Sequence, residues 1–245
     1  MKIMTFNVRI DVPIDGENQF KYRLRGIIDF INKQKPDVIG FQEVNHNMLL
    51  SLHNQLNDYH YEGKSRDGND EYNPIFYLKK FQLISTETYW YGKTPNIPST
   101  KHPEAFFPRI FTTVKLLLED KMYEVVNTHL SHVSHKARLD SLFQLVDYYL
   151  YRVDKVPFVL MGDFNAYPNE GLDKILSPYF NSCWNYYFEE TKTFHNFTDS
   201  IYGLPIDYIF TDSKFKFENV TISREKYNNI YLSDHYPVFA IIKLI

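Results

Sequence analysis

The sequence predicts an α/β fold, a sandwich of two mixed β-sheets face to face with helices outside. Three observations carry that expectation: strand-length apolar runs in hairpin spacing, helical-period segments inserted between strands, and no repeat at a fixed period. At 245 residues and 44% hydrophobic the chain can bury a full core. No Pro/Ser/Gly-rich or charge-run linker interrupts it, so one domain over residues 1–245 is expected.

Taken in order, Ile3 to Val8 is a strand that places Asn7 near its C-terminal end. Residues 9–19 are polar, carry Pro13 and Gly16, and read as a loop. Leu24, Ile27, Ile28 and Ile31 recur at helical spacing, and that helix must stop near Lys35, because Pro36 disfavours helical backbone in the residue before it. Val38 to Phe41 is a short buried strand followed at once by Gln42 and Glu43, and Met48, Leu49, Leu52 and Leu56 mark a second helix. Residues 63–73 form a charged, Gly-containing loop before Pro74 to Leu78 resumes an extended pattern. Residues 91–108 hold four prolines and little periodicity, which makes a long loop of the kind that often carries function.

Ile110 to Leu118 and Met122 to Leu130 pair as a hairpin across Glu119-Asp120-Lys121, the second arm ending in Asn127-Thr128-His129. Leu142, Leu145, Val146, Tyr149, Leu150 and Val153 mark an amphipathic helix that leads into Val156 to Asn165. This apolar run ends at Gly162 and presents Asp163 and Asn165, which share one side of an extended backbone. Pro168 suits the first turn of a short helix with Leu172 and Ile175. After an irregular aromatic segment, Ile206 to Thr211 is a strand with Asp207 near its start, and Ser233-Asp234-His235-Tyr236-Pro237 precedes a last strand, Val238 to Ile245.

Composition bounds the function. The net charge of −3 gives no global basic footprint for tight binding to long nucleic acid. Cys183 is the single cysteine, so an intrachain disulfide and a multi-cysteine zinc site are both excluded, and a reducing compartment is suited. The N-terminal segment reaches Asp11 and Asp15 before any long apolar run, so neither a secretory signal nor a membrane span is expected, and the cytoplasm is the default location. No obligate protein partner is evident. Aromatics at 17% serve mostly as core, with a surplus at loop positions able to stack on ligands.

The strand-end polar residues are Asn7, Glu43, Asn127, His129, Asp163, Asn165, Asp207, Asp234 and His235. Each alone reads as a turn or structural residue. Together, four carboxylates, three amides and two histidines make an oxygen-rich set without thiolates. Hard oxygen ligands suit Mg²⁺ or Mn²⁺, ions that keep several waters for a phosphate to replace, so the implied chemistry is metal-assisted phosphoester hydrolysis. A calcium loop opening at Asp163-Phe164-Asn165 fails, because Tyr167 stands where a third polar ligand belongs and Pro168 where the glycine belongs. Walker-type, His-Glu-x-x-His and Gly-x-Ser-x-Gly motifs are absent, which removes nucleotide-driven motors, zincins and α/β-hydrolases.

Six pieces in order, Met4-Thr5-Phe6-Asn7-Val8, Ile39-Gly40-Phe41-Gln42-Glu43, Asn127-Thr128-His129-Leu130, Gly162-Asp163-Phe164-Asn165, Ile206-Asp207-Tyr208-Ile209 and Ser233-Asp234-His235-Tyr236-Pro237-Val238, resemble the endonuclease/exonuclease/phosphatase superfamily, in its small bacterial form. The resemblance covers nearly the whole chain and implies the DNase I-like fold, a four-layered α/β sandwich. It also implies roles. Glu43 resembles the principal metal carboxylate, with Asn7 beside it and Asp234 as a further carboxylate near the metal. Asp163 resembles the residue that activates the attacking water, and Asn165 the amide that holds that water or the phosphate. His235 resembles the histidine on the scissile phosphate, oriented by Asp207, and His129 a second phosphate-contacting position.

Arg9 departs from the family's nucleases, some of which are acidic there, and puts a second metal site on that side in doubt. Arg109 resembles a position in the deadenylase-like and small bacterial branches and is assigned to the substrate with Asn127 and Arg66. Loops 63–73 and 91–108, with Arg66, Trp90, Tyr91, His102, Phe106 and Phe107, are expected to flank the cleft.

The expectation is therefore a Mg²⁺- or Mn²⁺-dependent phosphodiesterase or phosphatase acting on a small molecule or short nucleic acid. The alternatives are a deadenylase-like nuclease on single-stranded nucleic acid and, from another class, a catalytically silent binding module on the same fold.

Overall fold

The computed structural model describes residues 1–68, 71–184 and 190–245; positions 69–70 of the expected loop and 185–189 of the irregular aromatic segment lie outside them. The chain starts in β1 (Lys2–Asn7) and makes a 3-10 turn over Pro13–Asn18 within the expected loop. It then enters α1 (Phe20–Gln34), which ends at Lys35 in left-handed backbone with φ 44°, directly before Pro36. Next come β2 (Val38–Gln42), α2 (His46–Gln55), β3 (Tyr59–Glu62), β4 (Ile75–Leu78) and β5 (Gln82–Trp90). The expected hairpin is β6 (Ile110–Leu118) with β7 (Lys121–His129), and α3 (His135–Tyr151) leads into β8 (Phe158–Asp163). A π-type turn over Pro168–Leu172 and α4 (Asp173–Leu176) follow, and then β9 (Asn181–Ser182), β10 (Asp207–Thr211) and β11 (Phe215–Ile222). A small hairpin of β12 (Lys226–Tyr227) and β13 (Ile230–Tyr231) precedes β14 (Val238–Leu244).

Two mixed six-stranded sheets result, in the orders β11-β14-β1-β2-β4-β3 and β5-β6-β7-β8-β10-β9. Each has one parallel pair near its middle, β1 with β2 and β7 with β8, flanked by antiparallel neighbours. Within these two sheets the strands that the sequence does not announce, β3, β5, β9 and β11, are the four edges. Edge strands bury less, so polar and charged residues interrupt the apolar pattern: β5 reads Gln-Leu-Ile-Ser-Thr-Glu-Thr-Tyr-Trp and is largely exposed along its first half.

Side-chain alternation on β1 sorts the layers. Ile3 joins a core shared with Val125, Leu160 and Met161 of the other sheet, whereas Met4 and Phe6 pack with Ile27 and Ile31 of α1 and Leu49 and Leu52 of α2. On the far side Leu142, Leu145 and Val146 of α3 pack into the second-sheet core. The order is thus helices, sheet, sheet, helix, as expected. By the same alternation Thr5 and Asn7 face the second sheet. Gly40 lets the sheets approach there, since a Cβ on it would lie 2.7 Å from the Asn127 side-chain oxygen.

Candidate active site

Strand register assembles the site. In the parallel pair of β7 and β8, His129 lies opposite Asp163, and the antiparallel pair of β8 and β10 puts Asp207 opposite Asp163 from the other side. Three polar residues therefore form a row across the end of the second sheet. Gly162 makes this close pairing possible: its φ is 149°, and a Cβ would fall 2.0 Å from the Thr128 carbonyl oxygen. In the first sheet, Asn7 is level with Gln42, and Glu43 follows as the chain leaves the strand. Arg9, Glu43 and Asn165 all adopt left-handed backbone, with φ of 55°, 59° and 48°. Such conformations are uncommon for these residues and turn the chain sharply at the rim.

Asp163 is the hub and is 1% exposed. Its Oδ2 accepts from Asn7 Nδ2 at 3.0 Å and lies 3.5 Å from His129 Nε2 and 3.8 Å from His235 Nε2, while its Oδ1 accepts from the Asn165 backbone amide at 2.9 Å. The Asn7 Nδ2 also donates to Glu43 Oε1 at 3.0 Å, and Glu43 Oε2 accepts from the Ile10 amide at 3.0 Å. His235 Nδ1 donates to Asp207 Oδ2 at 2.8 Å, and His129 Nδ1 donates to Glu71 Oε1 at 3.0 Å. The two sheets thus deliver a carboxylate each, with an amide between them and an imidazole on each side of Asp163.

Electrostatics separates the two imidazoles. Burial alone would lower His235, but the charge and hydrogen bond of Asp207, with Asp163 behind it, lift it to about 10. Burial and the Arg109 guanidinium push His129 down to about 3. At neutral pH His235 is an imidazolium, and His129 is a neutral ring whose Nδ1 hydrogen is held by Glu71 and whose Nε2 lone pair faces Asp163. Asp163 itself is raised, first by burial and then by the Asp207 charge.

The structure corrects several sequence-based assignments. Asn127 does not reach the cleft: it is fully buried, its Nδ2 donates to the carbonyls of Phe41 and Pro74, and its Oδ1 accepts from Gln42 Nε2. It joins the two sheets beneath the site. Arg66 and Arg109 are 4% and 6% exposed and do not stand open to a substrate phosphate. Both are paired to Glu71, at 2.9 Å and 3.4 Å. Asp234 faces Arg9, with 3.8 Å from Oδ2 to Nε, and accepts from Ser233 Oγ. The Asn7 amide turns its nitrogen to the carboxylates, its oxygen being taken by the Arg9 backbone amide at 2.9 Å. Trp90 and Tyr91 are buried, and His102 pairs with Asp140 at 3.0 Å, so of the aromatics expected on loop 91–108 only Phe106 and Phe107 lie open at this rim.

Glu71 is the functional residue that sequence reading missed. It sits in loop 63–73 among other acidic residues, and no spacing singles it out. His132, whose Nδ1 lies 2.9 Å from Arg109 Nη2, was missed for the same reason.

A sequence model of the endonuclease/exonuclease/phosphatase family matches residues 4–235. The chain belongs to this family. An endonuclease/exonuclease/phosphatase from Bacteroides vulgatus superposes with a TM-score of 0.92 at 29% identity, over 100% of this chain and 98% of that one. A mannosyl-6-phosphatase from Bacteroides thetaiotaomicron does so with 0.90 at 26% identity, over 100% of both chains. TDP2 of D. rerio, complexed with a single strand DNA product, gives 0.81 at 16% identity over 99% and 98%, a likeness of fold alone. Among curated proteins no sequence match is found. Within this family phosphoester hydrolysis is the general activity, and divalent-metal dependence is the rule.

Among the described residues two groups of side chains in this family member have ligand atoms within 4.8 Å of one another, Glu43 with His129 and Asp163, and Asp163 with Asp207 and His235. The first fits a hard divalent ion: it offers two carboxylates and a neutral imidazole lone pair, and the Asn7 amino group bridging both carboxylates marks a place where positive charge is wanted. The second fits poorly, because His235 is cationic and its Nδ1 is engaged by Asp207. Among the described residues no helix is long and apolar enough to cross a membrane.

Proposed function

We propose that the protein is a Mg²⁺- or Mn²⁺-dependent hydrolase of small phosphoesters, working as one catalytic unit over residues 1–245. The observation that carries this reading is the convergence on Asp163 Oδ2 of groups from both sheets: Asn7 at 3.0 Å, His129 at 3.5 Å and His235 at 3.8 Å. A silent binding module would have no use for a buried carboxylate held between one cationic and one neutral imidazole.

Glu43 with Asp163 and His129 would hold the ion, which when bound supplies Lewis-acid charge to the phosphoryl oxygens and lowers the pKa of water. Asp163, buried and raised in basicity, accepts the proton of the attacking water. The Asn165 backbone amide fixes the other oxygen of that carboxylate, and the Asn165 side chain is itself anchored on the Leu130 carbonyl, so the base keeps its direction. The His235 imidazolium, oriented by Asp207, donates from Nε2 to phosphoryl oxygen as negative charge grows there.

A small ester is favoured over a long polyanion for two reasons. The chain carries a net charge of −3, and Arg66 and Arg109 are buried and held by Glu71. The mannosyl-6-phosphatase likeness agrees with that class.

Chelation tests the reading. Hydrolysis of a generic ester such as p-nitrophenyl phosphate or its bis-ester should vanish in EDTA and return with Mg²⁺ or Mn²⁺. Full activity in excess chelator would overturn the mechanism, and efficient cleavage of long duplex DNA at physiological salt would overturn the size preference.

A further inference from the structure

Beside His129 the rim is built from the end of loop 91–108 and from residues 130–134, because β6 and β7 run antiparallel and Phe111 lies opposite Thr128. Three features coincide there. Arg109 Nη2 lies 2.9 Å from His132 Nδ1, and a guanidinium only donates, so Nδ1 is the acceptor and the hydrogen of this exposed ring sits on Nε2. Arg66 stacks on Phe107 at 4.3 Å from the ring centroid, and Phe106 meets Phe107 edge-on at 4.6 Å and 87° while staying 68% exposed. The Phe107 ring is also 6.5 Å from that of His132. Behind this ledge Glu71 holds both guanidiniums, one carboxylate between two cations, and the exposed Lys101 Nζ donates to the Phe106 carbonyl at 3.5 Å, so what faces outward is the His132 N–H donor and an aromatic surface at a rim of net positive charge.

We propose that His132 and Phe106 form the subsite for the alcohol part of the substrate, and that they select a hydroxyl-bearing ring such as that of a sugar phosphate. A sugar ring offers hydroxyl oxygens to the His132 N–H and an apolar C–H face to the phenyl ring. This subsite rests on the hydrolase reading and deepens it by naming the leaving group.

The test compares a hexose 6-phosphate with phenyl phosphate, which has the scissile group without hydroxyls, in the full chain with Mg²⁺. Wild type should prefer the hexose ester in kcat/KM. His132→Ala should lower the hexose-to-phenyl ratio of kcat/KM at least tenfold, mainly through KM for the hexose ester. His132→Gln should restore most of that ratio, because its amide can accept from Arg109 and donate outward. Phe106→Ala should lower the ratio by about threefold. An unchanged ratio in His132→Ala, or an equal loss on both esters without rescue by Gln, overturns the subsite. If wild type turns over phenyl phosphate and not the hexose ester, the hydrolase reading stands and the subsite falls; if neither ester is turned over with metal the subsite falls, and the hydrolase reading falls with it only if bis(p-nitrophenyl) phosphate is also left intact.

Discussion

His129 and His235 occupy matching places on either side of Asp163, yet they carry opposite charge states. Each has Nδ1 on a buried carboxylate, at 3.0 Å and 2.8 Å, and each turns Nε2 toward Asp163 Oδ2, at 3.5 Å and 3.8 Å. What differs is what else the carboxylate touches. Glu71 is also bound by Arg66 and Arg109, so its charge is spent on them and the Arg109 field reaches His129. Among the described residues Asp207 meets no arginine and its Oδ1 is buried without a hydrogen-bond partner, so its hydrogen bond and field act on His235. A carboxylate–histidine pair therefore does not fix the charge of its imidazole; the remaining contacts of the carboxylate do. One carboxylate, Asp163, so has both a proton donor and a lone pair beside it at neutral pH.

The comparison can be broken at its centre. Asp163→Asn removes the group both arms face and should cut turnover by at least about 100-fold, the scale for losing a positioned base. Chemical denaturation should show no loss of stability, since Asp207 no longer has a like charge beside it. Wild-type rates in this variant at saturating metal would remove Asp163 from the mechanism.

Asp207→Asn should make the His235 arm resemble the other. The wild-type imidazole lies above its ordinary value, so its charge is complete below about 6.5, and both its contribution to stability and its donor role fade only as pH rises through about 10. Without the Asp207 charge, burial lowers it, and the alkaline limb of the pH–rate profile should move down toward neutrality, with a loss of about 10-fold or more at pH 8. An alkaline limb that stays in place would show that Asp207 is not its cause.

Arg109→Met sharpens the other arm. With one cation gone, His129 should rise from about 3 toward its ordinary value, followed by histidine ¹⁵N NMR, and the acid limb of the rate should rise with it. Glu71 keeps Arg66, so the cost in stability should be about 1–3 kcal/mol. A His129 resonance that titrates as in wild type would leave burial as the whole explanation.

His195 serves as the case whose Nδ1 meets a backbone carbonyl instead of a carboxylate. Burial holds it down to about 4, with Nδ1 on the Thr198 carbonyl and the ring stacked on Tyr236 at 3.9 Å. A value depressed below that of the unfolded chain gives stability that is present above about 6.5 and lost as pH falls through about 4. His195→Phe keeps the stack and should flatten the fall in stability between pH 7 and 4.5 by on the order of 2 kcal/mol, measured by urea unfolding at both values. Equal slopes in the two proteins would place the acid sensitivity elsewhere.

The sequence by itself determined the central strands, the helices that cover them and most of the polar rim. An interior strand buries both faces and so writes a continuous apolar run, and Asn7, Glu43, His129, Asp163 and Asp207 are legible because they stand at or next to the ends of such runs. Edge strands such as β5 and β11 write no such signal, since one side meets water. Only the tertiary structure decided which of these polar residues act together. Asn127 stands near the end of its strand as a site residue would, but the carbonyls of Phe41 in β2 and of Pro74 just before β4 claim its amide. Arg66 and Arg109 read as open cations until Glu71 is seen between them, and Glu71 comes from a loop whose path no periodicity governs. Period and burial are properties of a segment and can be read along the chain. The charge state of a buried imidazole depends on the partners of its partners, which lie 5 and 58 residues away in the cases of Arg66 to Glu71 and Glu71 to His129, and those contacts form only when the sheets close on one another.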